Sequence, residues 1–153
     1  MEFHGRHGSL CRVAQAMTTC YCGGSYDLFH RGHVELLRAA AAMAERVVVA
    51  VNSDAFHTAY KGKPPVVAER DRLAVVLACR YVTHAFLMPD HSAQRRVIAA
   101  WEPTYILHGD DWTGESLLKQ LNIDTAFLRQ HHIQMVYVPY TPGISSSKLA
   151  AEL

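Results

Sequence analysis

The sequence predicts an α/β fold, an open parallel sheet of about five strands with helices on both faces. Short apolar, β-prone runs alternate with segments whose apolar residues recur at helical spacing. One run, Val47 to Val51, is apolar at every position, the mark of a strand covered on both faces. The chain has 153 residues, half of them hydrophobic and 19% charged, which suits one globular domain with one core.

Each element follows from its own pattern. Thr18 to Cys22 is short and β-prone, and Gly23-Gly24 supplies a tight turn after it. His33 to Ala44 carries Val34, Leu37, Ala40, Ala41 and Ala44 as a helical stripe. Val47 to Val51 is the second strand. Asn52 to Pro65 is polar and punctuated by Gly and Pro, so it reads as a long loop. Glu69 to Cys79 is a helix with Leu73, Val76 and Leu77 inward, and Ala85 to Met88 is a short strand. A helix over Ala93 to Trp101 stops before Pro103, and Tyr105 to His108 is the fourth strand. Helical pieces at Glu115 to Leu121 and Thr125 to His131 precede a last strand, Gln134 to Val138, and a closing helix begins at Ser145. The alternation is that of a Rossmann-like sheet.

Composition excludes several classes of function. The formal net charge is +1 with no long basic run, so a nucleic-acid partner gets little electrostatic support and is not expected. No stretch approaches the roughly 20 apolar residues that span a bilayer, and no secretory segment opens the chain. A membrane partner is therefore not expected, and the location expected is cytoplasmic. Cys11, Cys20, Cys22 and Cys79 show neither a CxxC pair nor zinc spacing and read as thiols in a reducing compartment. Within a strand, Cys20 and Cys22 fall on one face. Residues 1–16 read as a disordered extension, with Met17 a candidate natural start; residues 17–153 form the single domain.

Right-handed crossovers bring the C-terminal ends of all the strands to one edge, where open α/β sheets bind ligands. Four polar clusters fall there: Gly24 to His33, Asn52 to Lys63, His108 to Trp112 and Tyr140 to Lys148. In the first, GGSYDLFHRGH, glycines allow close backbone approach to a phosphate. His30 and His33 then stand at a helix entrance, where an anion is favoured. Two imidazoles at i and i+3 can donate to the same phosphoryl oxygens. A purely structural pair of helix-capping histidines is the competing explanation.

These residues resemble the HxGH signature of the cytidylyltransferase-like nucleotidyltransferases. The run His108-Gly109-Asp110-Asp111-Trp112 resembles the GDDW loop of glycerol-3-phosphate cytidylyltransferases. Thr141 to Lys148, with Gly143, Ile144, Ser145, Ser146 and Ser147, resembles their RTxGISTT motif, and Cys79-Arg80-Tyr81-Val82 resembles RYVDE. The resemblance implies transfer of a nucleotidyl group from a nucleoside triphosphate, CTP favoured, to a small phosphorylated acceptor such as glycerol 3-phosphate. It also implies Mg²⁺ held mainly through the triphosphate with no dedicated protein site, and a homodimer. His30, His33 and Lys61 are the implied catalytic residues. Gly24, Ser25, Tyr26, Asp27, His108 to Trp112 and Gly143 to Ser147 would hold the nucleotide, and Lys63, Arg72 and Arg80 the phosphates. Simpler roles stand beside these: an Asx-turn for Asp27, an N-cap for Ser145, loop filling for Trp112 and a surface ion pair for Arg72.

The chain departs from the family pattern at Tyr140, where the motif has arginine; tyrosine supplies neither its charge nor its bidentate geometry. Thr83-His84 replaces an acidic pair, and SYD replaces TFD. Two other readings compete. Lys61-Gly-Lys63-Pro-Pro resembles a loop of some adenylyltransferases, such as those making FAD or activating a heptose phosphate. Tyr140 also admits a non-catalytic nucleotide sensor.

Overall fold

A computed structural model describes residues 16–153. Cys11 and, except for Ala16, the segment expected to be a disordered extension lie outside the described residues. The chain runs β1 (Thr19–Gly24), α1 (Arg31–Met43), β2 (Arg46–Asn52), α2 (Asp54–Lys61), α3 (Glu69–Ala78) and β3 (His84–Met88). It continues through a 3₁₀ turn at His91–Ala93 into α4 (Gln94–Trp101), β4 (Tyr105–Gly109), α5 (Gly114–Gln120), α6 (Thr125–Gln130), β5 (Gln134–Val138) and α7 (Ser146–Ala151).

The sheet has five parallel strands in the order β3-β2-β1-β4-β5. The chain works outward from β1 to β3, then returns to lay β4 on the other side of β1. The loops leaving β1 and β4 therefore diverge, which opens a crevice between them. This reversal fixes where a ligand fits.

Strand alternation builds a core on each side of the sheet. Cys20, Cys22, Val47, Val49 and Val51 pack with Leu37 and Ala40 of α1 and Val76 of α3. Tyr21, Val48, Ala50 and Ile106 pack with Ile98 of α4, Leu117 of α5, Leu121 just after it and Phe127 of α6. Cys20 and Cys22 do share one face, and with Cys79 they are free thiols. Among the described residues, no helix is long and apolar enough to cross a membrane.

Three expectations need correction. The Asn52 to Pro65 segment is not a long loop, because α2 occupies most of it. Ser53 caps it by accepting from the Phe56 amide at 3.1 Å, and Gly62 at φ 74° ends it. Phe56 anchors the helix in the core. Gly23 and Gly24 do not make the turn after β1 but are its last two residues. The turn falls on Tyr26 and Leu28, at φ 54° and 48°. Leu77 points outward, 51% exposed, while Arg72 of the same helix is buried.

Leu37 is fully buried beneath the sheet. Leu37→Ala is expected to cost about 2–5 kcal/mol in urea unfolding, whereas Leu77→Ala should stay within about 0.5 kcal/mol.

Candidate active site

The crevice at the C-terminal edge has a volume of about 1020 Å³. Its first wall is the β1–α1 loop, held in shape by Asp27. The Asp27 carboxylate accepts from the main-chain amides of Val66 at 2.8 Å and Val67 at 2.9 Å. Its carbonyl accepts from the Ser146 hydroxyl at 2.6 Å. One residue thus ties the loop to the segment before α3 and to the start of α7. The left-handed backbone at Tyr26 and Leu28 costs about 1–3 kcal/mol each and needs such over-determination.

Arg72 is the second brace. Its guanidinium donates to the carbonyls of Val67 at 2.8 Å, Asn52 at 2.8 Å and Ser25, and pairs with Asp54 at 2.7 Å. The residue is 1% exposed. Instead of standing beside a phosphate or on the surface, it is consumed in joining the loops that leave β1 and β2.

His30 and His33 sit on the crevice wall and cap α1 reciprocally. Gly32 N–H donates to His30 Nδ1 at 3.0 Å, and His30 N–H donates to His33 Nδ1 at 3.1 Å. Each Nδ1 must offer a lone pair, so each neutral ring carries its proton on Nε2. Burial holds His30 below the ordinary histidine value. Burial also drives His33 down to about 3, with His30 adding to the effect and Asp27 opposing it. The ring centroids lie 4.0 Å apart, and Phe29 stacks on His33 at 5.3 Å. At neutral pH the pair therefore presents two uncharged Nε2–H donors. Capping and phosphate binding are compatible, because they use different ring nitrogens.

Gly32 allows this arrangement. A Cβ there would lie 2.7 Å from His30 Cε1. Here glycine is needed for the close approach of the imidazole.

The other expected residues divide between lining and support. Gly24, Ser25, Tyr26 and Asp27 line the crevice beside the histidines, and Lys61 and Lys63 line it from the end of α2. From the far side come His108, Gly109, Asp111 and Trp112, with Ser145, Ser146 and Ser147 at the α7 end. Ser145 caps α7 by accepting from the Lys148 amide at 3.1 Å. Asp110, Gly143, Ile144, Arg72 and Arg80 are not among the lining residues. Asp110 instead joins the β4 loop to the segment after β5: its carboxylate accepts from the Tyr140 amide at 2.9 Å, and its own amide donates to Val138. The Arg80 guanidinium lies over the neighbouring Tyr81 ring at 5.5 Å.

Lining residues that the loop reading of 52–65 missed are Asn52, Phe56, His57 and Tyr60; Gln94 of α4 was missed as well. Ser53-Asp54 followed by Lys61-Gly62 are helix start and stop signals that could have revealed α2.

Residues 21–152 match the profile of the family described as cytidylyltransferase-like. The chain belongs to the cytidylyltransferase-like family. It is 35% identical over 141 residues to the bifunctional protein HldE of Streptomyces coelicolor, covering 90% of this chain and 29% of that protein. It is 28% identical over 130 residues to the glycerol-3-phosphate cytidylyltransferase of Bacillus subtilis, covering 85% of this chain and 92% of that protein. An ethanolamine-phosphate cytidylyltransferase of Arabidopsis thaliana is 33% identical over 90 residues, covering 58% of this chain and 21% of that protein. The chain thus spans about a quarter of the length of two of these three relatives. The fold is shared with the lipopolysaccharide core biosynthesis protein of Thermoplasma volcanium, with a TM-score of 0.65 and 22% identity, covering 82% of this chain and 98% of that one.

Gly32→Ala is expected to displace the His30 ring while leaving the fold in place. Imidazole ¹⁵N shifts should lose the Nδ1-acceptor signature of His30 with the circular dichroism spectrum unchanged; an unmoved signature would contradict the steric argument. The depressed His33 value also carries a pH dependence. Between the ordinary value of 6.5 and about 3, the unfolded chain binds a proton at this site that the folded chain does not. Stability contributed by the neutral ring is therefore present above 6.5 and lost as pH falls through that window. Urea midpoints of His33→Gln should fall less steeply over the same range than those of the parent chain.

Proposed function

We propose that this chain is a nucleotidyltransferase that moves a nucleotidyl group, CMP from CTP being favoured, onto a small phosphorylated alcohol such as glycerol 3-phosphate. The observation that carries the reading is the reciprocal cap, which leaves neutral Nε2–H donors on His30 and His33 beside the crevice. Donors fixed before the reaction stabilise charge on a phosphoryl group without reorganising.

An oxygen of the acceptor phosphate attacks the α-phosphorus in line. The new P–O bond forms as the bond to the β-phosphate breaks, and pyrophosphate leaves. The attacking oxygen is already anionic, so no general base is required. His30 and His33 donate to the non-bridging α-phosphoryl oxygens, while Lys61 and Lys63 supply positive charge to the phosphates. Ser145 and Ser147 offer hydroxyls toward the β- and γ-phosphates, while the Ser146 hydroxyl stays on the Asp27 carbonyl and holds the start of α7 beside them; the β4 loop, from His108 to Trp112, frames the nucleoside.

Among the described residues, the carboxylates lining the crevice are Asp27, Glu35 and Asp111. Both Asp27 oxygens are taken by amides, and Glu35 pairs with Arg38. We assign Mg²⁺ mainly to triphosphate oxygens, as the resemblance implies, where it would neutralise charge on the leaving pyrophosphate. A homodimer and a cytoplasmic location belong to the same proposal and rest on family resemblance and composition.

An adenylyltransferase is the second reading, favoured by the Lys61-Gly-Lys63-Pro-Pro run that closes α2. Pyrophosphate release with each triphosphate, Mg²⁺ and a panel of acceptor phosphates separates the two. Release with CTP supports the first reading, and release with ATP alone supports the second. No release with any pair would favour a nucleotide sensor. With the active pair, His30→Ala and His33→Ala should each lower kcat about 10²–10³-fold; near-normal turnover in both would overturn the mechanism.

A further inference from the structure

The crevice has a second lobe, across the sheet edge from the histidine pair. The buried face of α1 joins the Cys20 side of the core, whereas Phe56, Leu117 and Leu121 belong to the Tyr21 side and floor this lobe. Above that floor runs a chain of uncharged polar groups. Ser25 Oγ lies 2.6 Å from both His57 Nδ1 and the Tyr60 hydroxyl, and Asn52 Nδ2 reaches the same hydroxyl at 3.4 Å. Gln94 is 2% exposed and lines the lobe. Its amide nitrogen donates to the Gln120 carbonyl, and among the described residues no hydrogen bond engages its side-chain oxygen.

These groups donate and accept without carrying charge, because burial holds His57 below the ordinary histidine value. A hydroxyl has the same dual character, whereas an ammonium only donates and needs a counter-charge when desolvated. The lobe offers no unopposed one: at His57 the negative charges of Asp27 and Asp54 are countered by those of Arg72 and Lys61. Among the described residues three carboxylates line the whole crevice: Asp27 keeps its charge but is held by two amides, Glu35 pairs with Arg38, and Asp111 stands on the β4 loop against Gly109. The aromatic rings are committed too. Lys61 Nζ lies 5.7 Å from the centre of the Tyr60 ring, and Phe56 is buried edge-on against Tyr60. A second cation there would meet the Lys61 charge rather than a free π-face.

We infer that this lobe selects a polyol phosphate, an acceptor with free hydroxyls beyond its phosphate-bearing carbon, over an aminoalcohol phosphate. Gln94, His57 and Tyr60 set that specificity. The inference rests on the proposed transfer to a phosphorylated acceptor.

Two measurements on the full chain test the inference separately from that reading. The first takes kcat and KM with CTP or ATP for glycerol 3-phosphate and for ethanolamine phosphate. The second titrates each acceptor calorimetrically into the chain holding an α,β-methylene triphosphate. Glycerol 3-phosphate is expected to be preferred about tenfold or more in kcat/KM. Gln94→Leu and the shape-preserving Tyr60→Phe should each erode that preference about three- to tenfold, through KM for glycerol 3-phosphate. Equal or better use of ethanolamine phosphate, or variants that impair both acceptors alike, would overturn the inference. If no acceptor releases pyrophosphate, the transferase reading fails and calorimetry still decides this one. Tighter glycerol 3-phosphate binding supports it; tighter ethanolamine phosphate binding, or no heat with either, rejects it.

Discussion

A buried carboxylate held by main-chain amides organises the ligand-binding edge of this protein. Asp27 lies between two left-handed residues, and its oxygens accept from Val66 and Val67 while its carbonyl takes the Ser146 hydroxyl. Without those bonds, a buried carboxylate would carry a desolvation cost of several kcal/mol, and Tyr26 and Leu28 would have no reason to stay strained. Arg72 reinforces the same junction from beneath, joining Ser25, Asn52, Val67 and Asp54. The β1–α1 loop is consequently a fixed part of the scaffold, and the histidines that follow it inherit that rigidity.

The same economy governs the histidine pair. Helix α1 must satisfy its first amide groups, and the imidazoles do so through Nδ1. Capping therefore selects the tautomer whose Nε2–H faces away from the backbone, and burial keeps both rings uncharged. Positive charge at the crevice comes instead from Lys61, Lys63 and Arg38. Arg38 is paired with Glu35, and the motif position of Tyr140 carries no cation. The two lysines that close α2 are thus the unpaired cationic side chains lining the crevice among the described residues.

Helix α2 shows why part of the site escaped the sequence reading. Its eight residues, DAFHTAYK, make little more than two turns and run straight into Gly62-Lys63-Pro64-Pro65, so the segment reads as a Gly-Pro-punctuated loop. What makes it helical is the Ser53 cap, the Gly62 terminus and one anchor, Phe56, which joins the core cluster that also holds Ile98 of α4 and Leu117 of α5. The polar residues that it turns toward the crevice acquire meaning only there. His57 and Tyr60 meet Ser25 across more than thirty positions of sequence.

By itself, the sequence determined the alternation of strands and helices, the parallel sheet, and the four polar clusters at one edge. Those features follow from periodicity, apolar runs and the handedness of crossovers, which are local or generic. It also marked His30 and His33, because their spacing and the glycines around them are legible in a short window. Only the tertiary structure decided which polar residues face a ligand and which hold the scaffold. Arg72 and Asp110 became braces, Asn52, His57, Tyr60 and Gln94 became lining, and Gly32 proved to be the space into which His30 folds. The reason is physical: a buried polar group takes whatever partner the packed fold brings within reach, and those partners come from distant segments that no local pattern records.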